Sequence, residues 1–279
     1  MSAIDPLVYA YGVVRLRDSG SLGSLSAVEG VSGSLLRTVS CGDLAVVISD
    51  VPQHADGAIE DVWRDPERIK HMVLDHHRVL RTVANDCTVL PLRFGAVFSS
   101  DERVAAMLGA QRERLCAALE RIDGAREWGI QLFCDRAALR SRLGAEAPAI
   151  RAAREQIAAT TAGRAFFLRH MLEQALEAEI ENAIDRYVTD WRTSLRSAAR
   201  AATKLKTQAP AIHGQPHEMV WNGAFLVAQD CEDRFFELIA NLKDTYGSSG
   251  FDCGCTGPWP PSSFAESSLG ANDEHRGRA

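Results

Sequence analysis

The sequence predicts an α+β protein of two domains, the second a modified ferredoxin-like sandwich with an extended helical region. Three observations carry that expectation. At 279 residues the chain exceeds the size at which one hydrophobic core usually keeps growing, so two packed units are expected. Short apolar runs, one with clear period-two alternation, are interleaved with segments whose apolar residues recur at helical spacing. From about Pro148 to Ala202 the chain is rich in Ala, Glu and Arg, more helix than a compact sandwich needs. The expected division is an N-terminal α+β domain over 1–125, a C-terminal ferredoxin-like domain with long helices over 126–264, and a polar tail over 265–279, expected to be disordered.

In chain order, Leu7–Val14 is rich in apolar, β-branched and aromatic residues and is expected to be a strand, followed by a Gly/Ser-rich loop over 19–34. Leu44–Ile48, bounded by Gly42-Asp43 and Pro52, is a second short strand with a polar loop behind it. Asp65 is placed to cap a helix with Pro66 at its first position, and Ile69, Met72, Val73, His76, Leu80 and Val83 share its inner face. "TVLPLRFGAVF" is expected to be a strand, although Pro91 has no N–H for a ladder and implies an edge, a bulge or a bend. Ser100 caps one further helix carrying Val104, Leu108, Leu115, Leu119 and Ile122 and ending before Gly124.

The second domain begins with "EWGIQLFC", in which Trp128, Ile130, Leu132 and Cys134 alternate on one face. The long helical region follows, with Gly163 as its weak point and a stripe through Phe167, Met171, Ile180, Ile184, Val188, Trp191 and Leu195. About 35 such residues extend roughly 50 Å. "HEMVWNGAFLVAQ" is a strand, Glu232–Tyr246 a helix, and "FDCGCTGPWPPSSF" the last strand with a proline-braced exit.

Composition narrows the function classes. Apolar residues make up 46% and charged residues 24%, and no apolar run approaches a membrane span, so no membrane partner is expected. No export signal is apparent, which makes the cytoplasm the expected location. The net charge of −6 with dispersed basic residues provides no footprint for nucleic acid. Seven scattered cysteines are expected to be reduced.

No catalytic constellation, cofactor site or metal site is expected. Cys253-x-Cys255, with Cys231, His213 and His217, has zinc-type ligand chemistry but the wrong spacing, since residues i and i+2 of a strand share one packing face. His71, His76 and His77 make no i,i+4 pair. The glycines between 20 and 33 match no phosphate-binding loop, and no GxSxG elbow is present. Glu173, Glu177, Glu179, Glu181 and Asp185, followed by arginines, form either a solvated face or a guide for docking. Two proline-bearing apolar segments stand out: Leu90, Pro91, Leu92, Arg93, Phe94 and Gly95, and Gly257, Pro258, Trp259, Pro260, Pro261 and Phe264. Each is a core-packing element or a contact surface. The alternative is a small-molecule or metal-dependent enzyme on a ferredoxin-like scaffold, using the histidine helix or Cys253-x-Cys255.

At these segments the sequence resembles the gas vesicle accessory proteins of the GvpF/GvpL family. The resemblance runs through "YAYGVV", "HHRVLRTV", "VLPLRFGAVFSSDERV", "EWGIQLF", "GRAFFLRHM", "MVWNGAFLV" and "GFDCGCTGPWPPSSF". Two departures stand out: Ser262 where the family usually has an aromatic, and Trp221-Asn222-Gly223-Ala224-Phe225-Leu226-Val227 where it has "LNAAFLV". The resemblance implies a non-enzymatic assembly factor for the gas-filled shells that confer buoyancy, located in the cytoplasm and at the gas vesicle. Its implied partners are the small hydrophobic gas vesicle shell protein, whose aggregation it limits, and other gas vesicle accessory proteins. Retention as a minor structural component is a further implied role.

Overall fold

The computed structural model describes residues 6–19, 25, 27–51, 65–146 and 148–269. The expectations for the polar loop after Ile48, Pro52 included, for parts of the Gly/Ser-rich stretch and for the tail beyond 269 lie outside the described residues. Among the described residues, those up to Glu127 form a compact unit with those from Pro258 to Leu269, and those between Trp128 and Gly257 form another.

The first unit is built on an antiparallel sheet of order β2-β3-β1-β4, from Arg37–Cys41, Leu44–Val51, Leu7–Arg15 and Leu90–Pro91, with β5, Val97–Phe98, also paired to β1. The register of β1 on β3 slips between Ala10 and Gly12, so Tyr11 is a bulge residue. After it the inward side changes parity: Tyr9, Tyr11 and then Val14 join Ala45 and Val47 of β3 in one core. The alternate residues Leu44, Val46 and Ile48 are buried as well, so both faces of the sheet are covered. Helix α1, Pro66–Asp86, supplies Val79, Leu80 and Val83 to the Tyr9–Tyr11 core, and Asp65 accepts from the Glu67 and Arg68 N–H groups as its cap. The helix expected after Ser100 is two helices, α2 (Asp101–Ala110) and α3 (Arg112–Ile122), which meet at Gln111. Their apolar stripe nevertheless stays buried across the break.

"TVLPLRFGAVF" is not one strand. After β4 the chain turns at Phe94-Gly95, where Gly95 takes φ +86, and returns to β1 as β5. The strand β2 carries no apolar alternation (Arg-Thr-Val-Ser-Cys) and has no counterpart in the sequence expectations.

The second unit contains β6 (Ala125–Cys134), α4 (Arg136–Glu146), α5 (Pro148–Ala158), α6 (Ala162–Arg196), β7 (Ala201–Lys204), β8 (Glu218–Ala228), α7 (Glu232–Tyr246) and β9 (Phe251–Trp259), whose last two residues, like the first three of β6, fall in the first unit. The sheet order β7-β8-β6-β9 with these connections is the ferredoxin-like βαββαβ arrangement, enlarged by α4 and α5. Ile130, Leu132 and Cys134 of β6, Trp221, Phe225 and Val227 of β8, and Phe251 and Cys253 of β9 meet Leu176, Ile180, Ile184, Tyr187, Trp191 and Leu195 of α6 and Phe235 and Ile239 of α7. The long helix stops at Arg196, and Ala201-Ala202, expected in it, begin β7. Its break from α5 lies at 159–161, just before Gly163.

Two local pairings explain sequence features. Arg136 of α4 pairs with Glu177 and Glu181, and Arg140 with Glu173 and Glu177, so much of the acidic face of α6 is met by the chain's own arginines. A Cβ at Gly223 would lie 2.2 Å from Trp221 Cη2. The large indole therefore depends on the missing side chain two residues later.

The C-terminal boundary needs correction. Pro258–Phe264, expected in the second domain, belong to the first unit, because β9 ends there and α8, Ser262–Leu269, packs on α3 and β4. Residues 265–269, expected to be disordered, continue that helix; Ala265 is buried.

Candidate functional site

The two proline-bearing segments meet in the first unit, where α8 packs on β4. Leu90 is fully buried and Pro91 buried on the edge of β1, where Pro91 faces Gly12 and the missing N–H leaves no unpaired donor. Leu92 N–H donates to the Tyr11 carbonyl at 2.8 Å. Beyond it the Gly95 N–H donates to the Tyr9 hydroxyl at 3.1 Å, which leaves that hydroxyl's proton for His76 Nδ1, 3.0 Å away. Burial, followed by the neighbouring His77, outweighs a backbone hydrogen bond with Leu92 and lowers the His76 pKa to about 4, so the ring is neutral. Phe94 closes the cage edge-on to His76, with ring centroids 5.7 Å apart. This network ties "HHRVL" to "VLPLRFG" and explains both motifs as architecture.

The second segment divides by exposure. Pro260, Pro261 and Phe264 are buried, whereas Gly257, Pro258 and Trp259 are exposed, as is Arg93 of the first segment; Leu92, Phe94 and Gly95 are half-buried. The start of α8 is capped by Glu127, whose carboxylate accepts from the Ser263 N–H at 2.8 Å and hydroxyl at 2.6 Å. Burial pushes the Glu127 carboxyl up, opposed by these two bonds. Arg121 donates to the Phe264 carbonyl at 2.8 Å. Trp259, 40% exposed, lies under the Arg81 guanidinium, 5.9 Å from the ring centroid.

The enzyme alternative loses its residues here. His76 is enclosed by aromatic rings. Cys253 is buried and its thiol pushed up to about 12 by desolvation, and Cys255 packs against the same core. All seven cysteines are free, and among the described residues no group of three or more His, Cys, Asp or Glu is placed to hold a metal ion.

Two features escaped the sequence reading. Arg78, Arg81 and Asn85 lie one turn apart on α1 and, with Thr82, Ala84, Arg126, Pro258, Trp259 and Pro260, line a cleft of about 450 Å³. The signal was an i, i+3, i+7 polar face. The second is the opening of α6: Phe167 and Met171, expected on the apolar stripe of the long helix, are 62% and 51% exposed, and Phe166 is 75% exposed. The buried face runs instead through Ala165, Leu176 and Ile180, on the opposite side of the helix.

The model of the family described as "Gas vesicle synthesis protein GvpL/GvpF" matches residues 7–266. The chain belongs to the GvpL/GvpF family. Among its relatives are gas vesicle protein L of a Streptomyces species, 29% identical over 94% of this chain and 93% of the relative, and gas vesicle protein F of Haloferax mediterranei, 26% identical over 97% and 98%. The crystal structures of GvpF from Anabaena sp. PCC7120 and from Microcystis aeruginosa superpose with TM-scores of 0.69 and 0.64, each at 18% identity, covering 94% and 93% of this chain and 98% and 99% of theirs. They establish the GvpF fold of mixed helix and sheet with two sheets. GvpL/GvpF proteins are gas vesicle accessory proteins and not enzymes, which overturns the enzyme alternative. Among the described residues no helix is long and apolar enough to cross a membrane.

Proposed function

We propose that this GvpL/GvpF protein is an assembly factor that binds the small hydrophobic gas vesicle shell protein, and other vesicle proteins, while the vesicle forms. It limits aggregation of the shell protein before incorporation, acts in the cytoplasm, and persists on the vesicle as a minor component. The observation that supports this reading is the pair Phe167 and Met171, one turn apart on the first turns of α6 and exposed on the side opposite buried Leu176 and Ile180, with Phe166 exposed next to them in the chain. Adjacent exposed aromatics on an ordered helix are costly to hydrate and mark an interaction surface for an apolar client. Within the two proline-bearing segments, Leu90, Pro91, Pro260, Pro261 and Phe264 serve packing, while Trp259, exposed beneath Arg81, serves contact. Light scattering of shell protein diluted from denaturant tests the reading. The full chain suppresses aggregation in proportion to its concentration, and Phe166→Ser/Phe167→Ser loses the suppression; equal aggregation with and without the chain refutes it.

A further inference from the structure

The cleft beside Trp259 is a basic concavity on an acidic chain. Among the described residues its lining includes Arg78, Arg81 and Arg126 and no carboxylate, although the chain carries a net charge of −6. Arg78 is held in place by Asp75 Oδ1, 3.0 Å from Nη2, and by the Glu29 carbonyl at 2.9 Å, neither of which engages its Nη1. Arg81 is exposed, stacks over Trp259 and makes no ion pair among the described residues. The indole is stiffened by a proline on each side, which fixes the backbone without further ordering on binding. At about 450 Å³ the cleft falls within the range of ligand-binding clefts.

The donors decide what kind of anion fits. Phosphate cradles are built from convergent backbone N–H groups. Here Pro258, Pro260 and Pro261 have none, the Ser262 N–H is bonded to the Pro260 carbonyl at 2.7 Å, and the Ser263 N–H is taken by Glu127. The side-chain donors are guanidinium groups and the Asn85 amide beside a flat apolar ring, which suits a carboxylate with an apolar neighbour. We propose that this cleft docks an acidic segment of a protein partner, an Asp or Glu carboxylate pairing with Arg81 and Arg126 while an adjacent proline or aliphatic side chain lies on Trp259. The site is distinct from the apolar strip of α6 and stands on its own chemistry.

The test uses the full chain as bait for a display library of random short peptides, counter-selected against Arg81→Glu/Arg126→Glu, a variant changed only at exposed positions. The selected peptides carry Asp or Glu next to proline or an aliphatic residue. A fluorescein-labelled selected peptide binds the wild-type chain by anisotropy. Its affinity falls at least about tenfold in Arg81→Glu and when its acids become Gln, and several-fold in Trp259→Ala. Rising salt weakens it further. Circular dichroism confirms that each variant is folded. Recovery of no acidic peptides, unchanged affinity in Arg81→Glu, or competition by inorganic phosphate beyond that of sodium chloride at equal ionic strength overturns the proposal.

Discussion

Replacing Gly223 by Ala puts a methyl group 2.2 Å from Cη2 and 2.5 Å from Cζ2 of Trp221, and 2.8 Å from the Thr203 carbonyl of β7. Carbon atoms in contact prefer roughly 3.5–4.0 Å, so the indole must retreat by more than an ångström. That retreat disturbs core packing, since Trp221 is only 4% exposed and sits beside Phe225. Overpacking of this kind costs about 3 kcal/mol, the upper end of its usual range. Trp221→Leu alone opens a cavity and costs about 2–3 kcal/mol. Part of that is recovered, because Trp221 Nε1 is buried with no hydrogen-bond partner. In the double variant Trp221→Leu/Gly223→Ala the new methyl enters space the indole has vacated, and the residual conflict with Thr203 falls on a four-residue edge strand. The double variant is therefore expected to be at least about 1.5 kcal/mol more stable than the sum of the singles implies. Urea unfolding followed by far-ultraviolet circular dichroism measures the cycle. Single costs that add within about 0.5 kcal/mol would refute the compensation argument.

The other predictions concern titration, thiols and the cap of α8. Since the folded pKa of His76 is about 4 and its ordinary value 6.5, the stability it contributes is complete above 6.5 and is lost as pH falls toward 4. The loss approaches about 1 kcal/mol per pH unit there, and His76→Gln flattens that slope in urea titrations at stepped pH. Burial pushes the Cys134 and Cys87 thiols up to about 11 and Cys253 to about 12, so iodoacetamide on the native protein, read by mass spectrometry, labels Cys41 and Cys116 well before Cys253. Glu127→Ala leaves the Ser263 N–H and hydroxyl without their acceptor and costs about 1–2 kcal/mol, with faster amide exchange confined to the start of α8; exchange unchanged there would show that the cap is not what holds the helix.

Periodicity revealed elements wherever one face alone meets a core. Asp65-Pro66, the alternation of β6, and Glu232–Tyr246 all have one chemically distinct face and a cap or turn residue at the boundary. The strand β2 was invisible because its Val39 is the only large apolar residue among polar neighbours on a sheet edge. "TVLPLRFGAVF" misled because its apolar residues line two short pairings and a turn, a shape decided by Tyr9 and His76, far away in sequence. The last residues were assigned to the wrong unit for a similar reason: prolines announce that a strand ends, but only the Glu127 and Arg121 contacts decide where the chain goes next. In the opening of α6, Phe167 and Met171 continue the apolar stripe in sequence yet stand exposed, because apolar spacing cannot tell the buried side of a helix from an exposed apolar side. The arginine cleft was legible only as a polar helix face, since Arg126 and Trp259 reach it from distant positions.

The central claim, that this GvpL/GvpF protein holds the shell protein through the opening of α6, is tested most directly by co-purification. The tagged full chain is co-expressed with the small hydrophobic shell protein, and the amount retained is compared between the wild type and Phe166→Ser/Phe167→Ser/Met171→Ser, three exposed positions whose change leaves the core intact. The account predicts that the wild type retains the shell protein and the triple variant loses most of it while keeping its circular dichroism spectrum. No retention by the wild type, or equal retention by a folded triple variant, would contradict it.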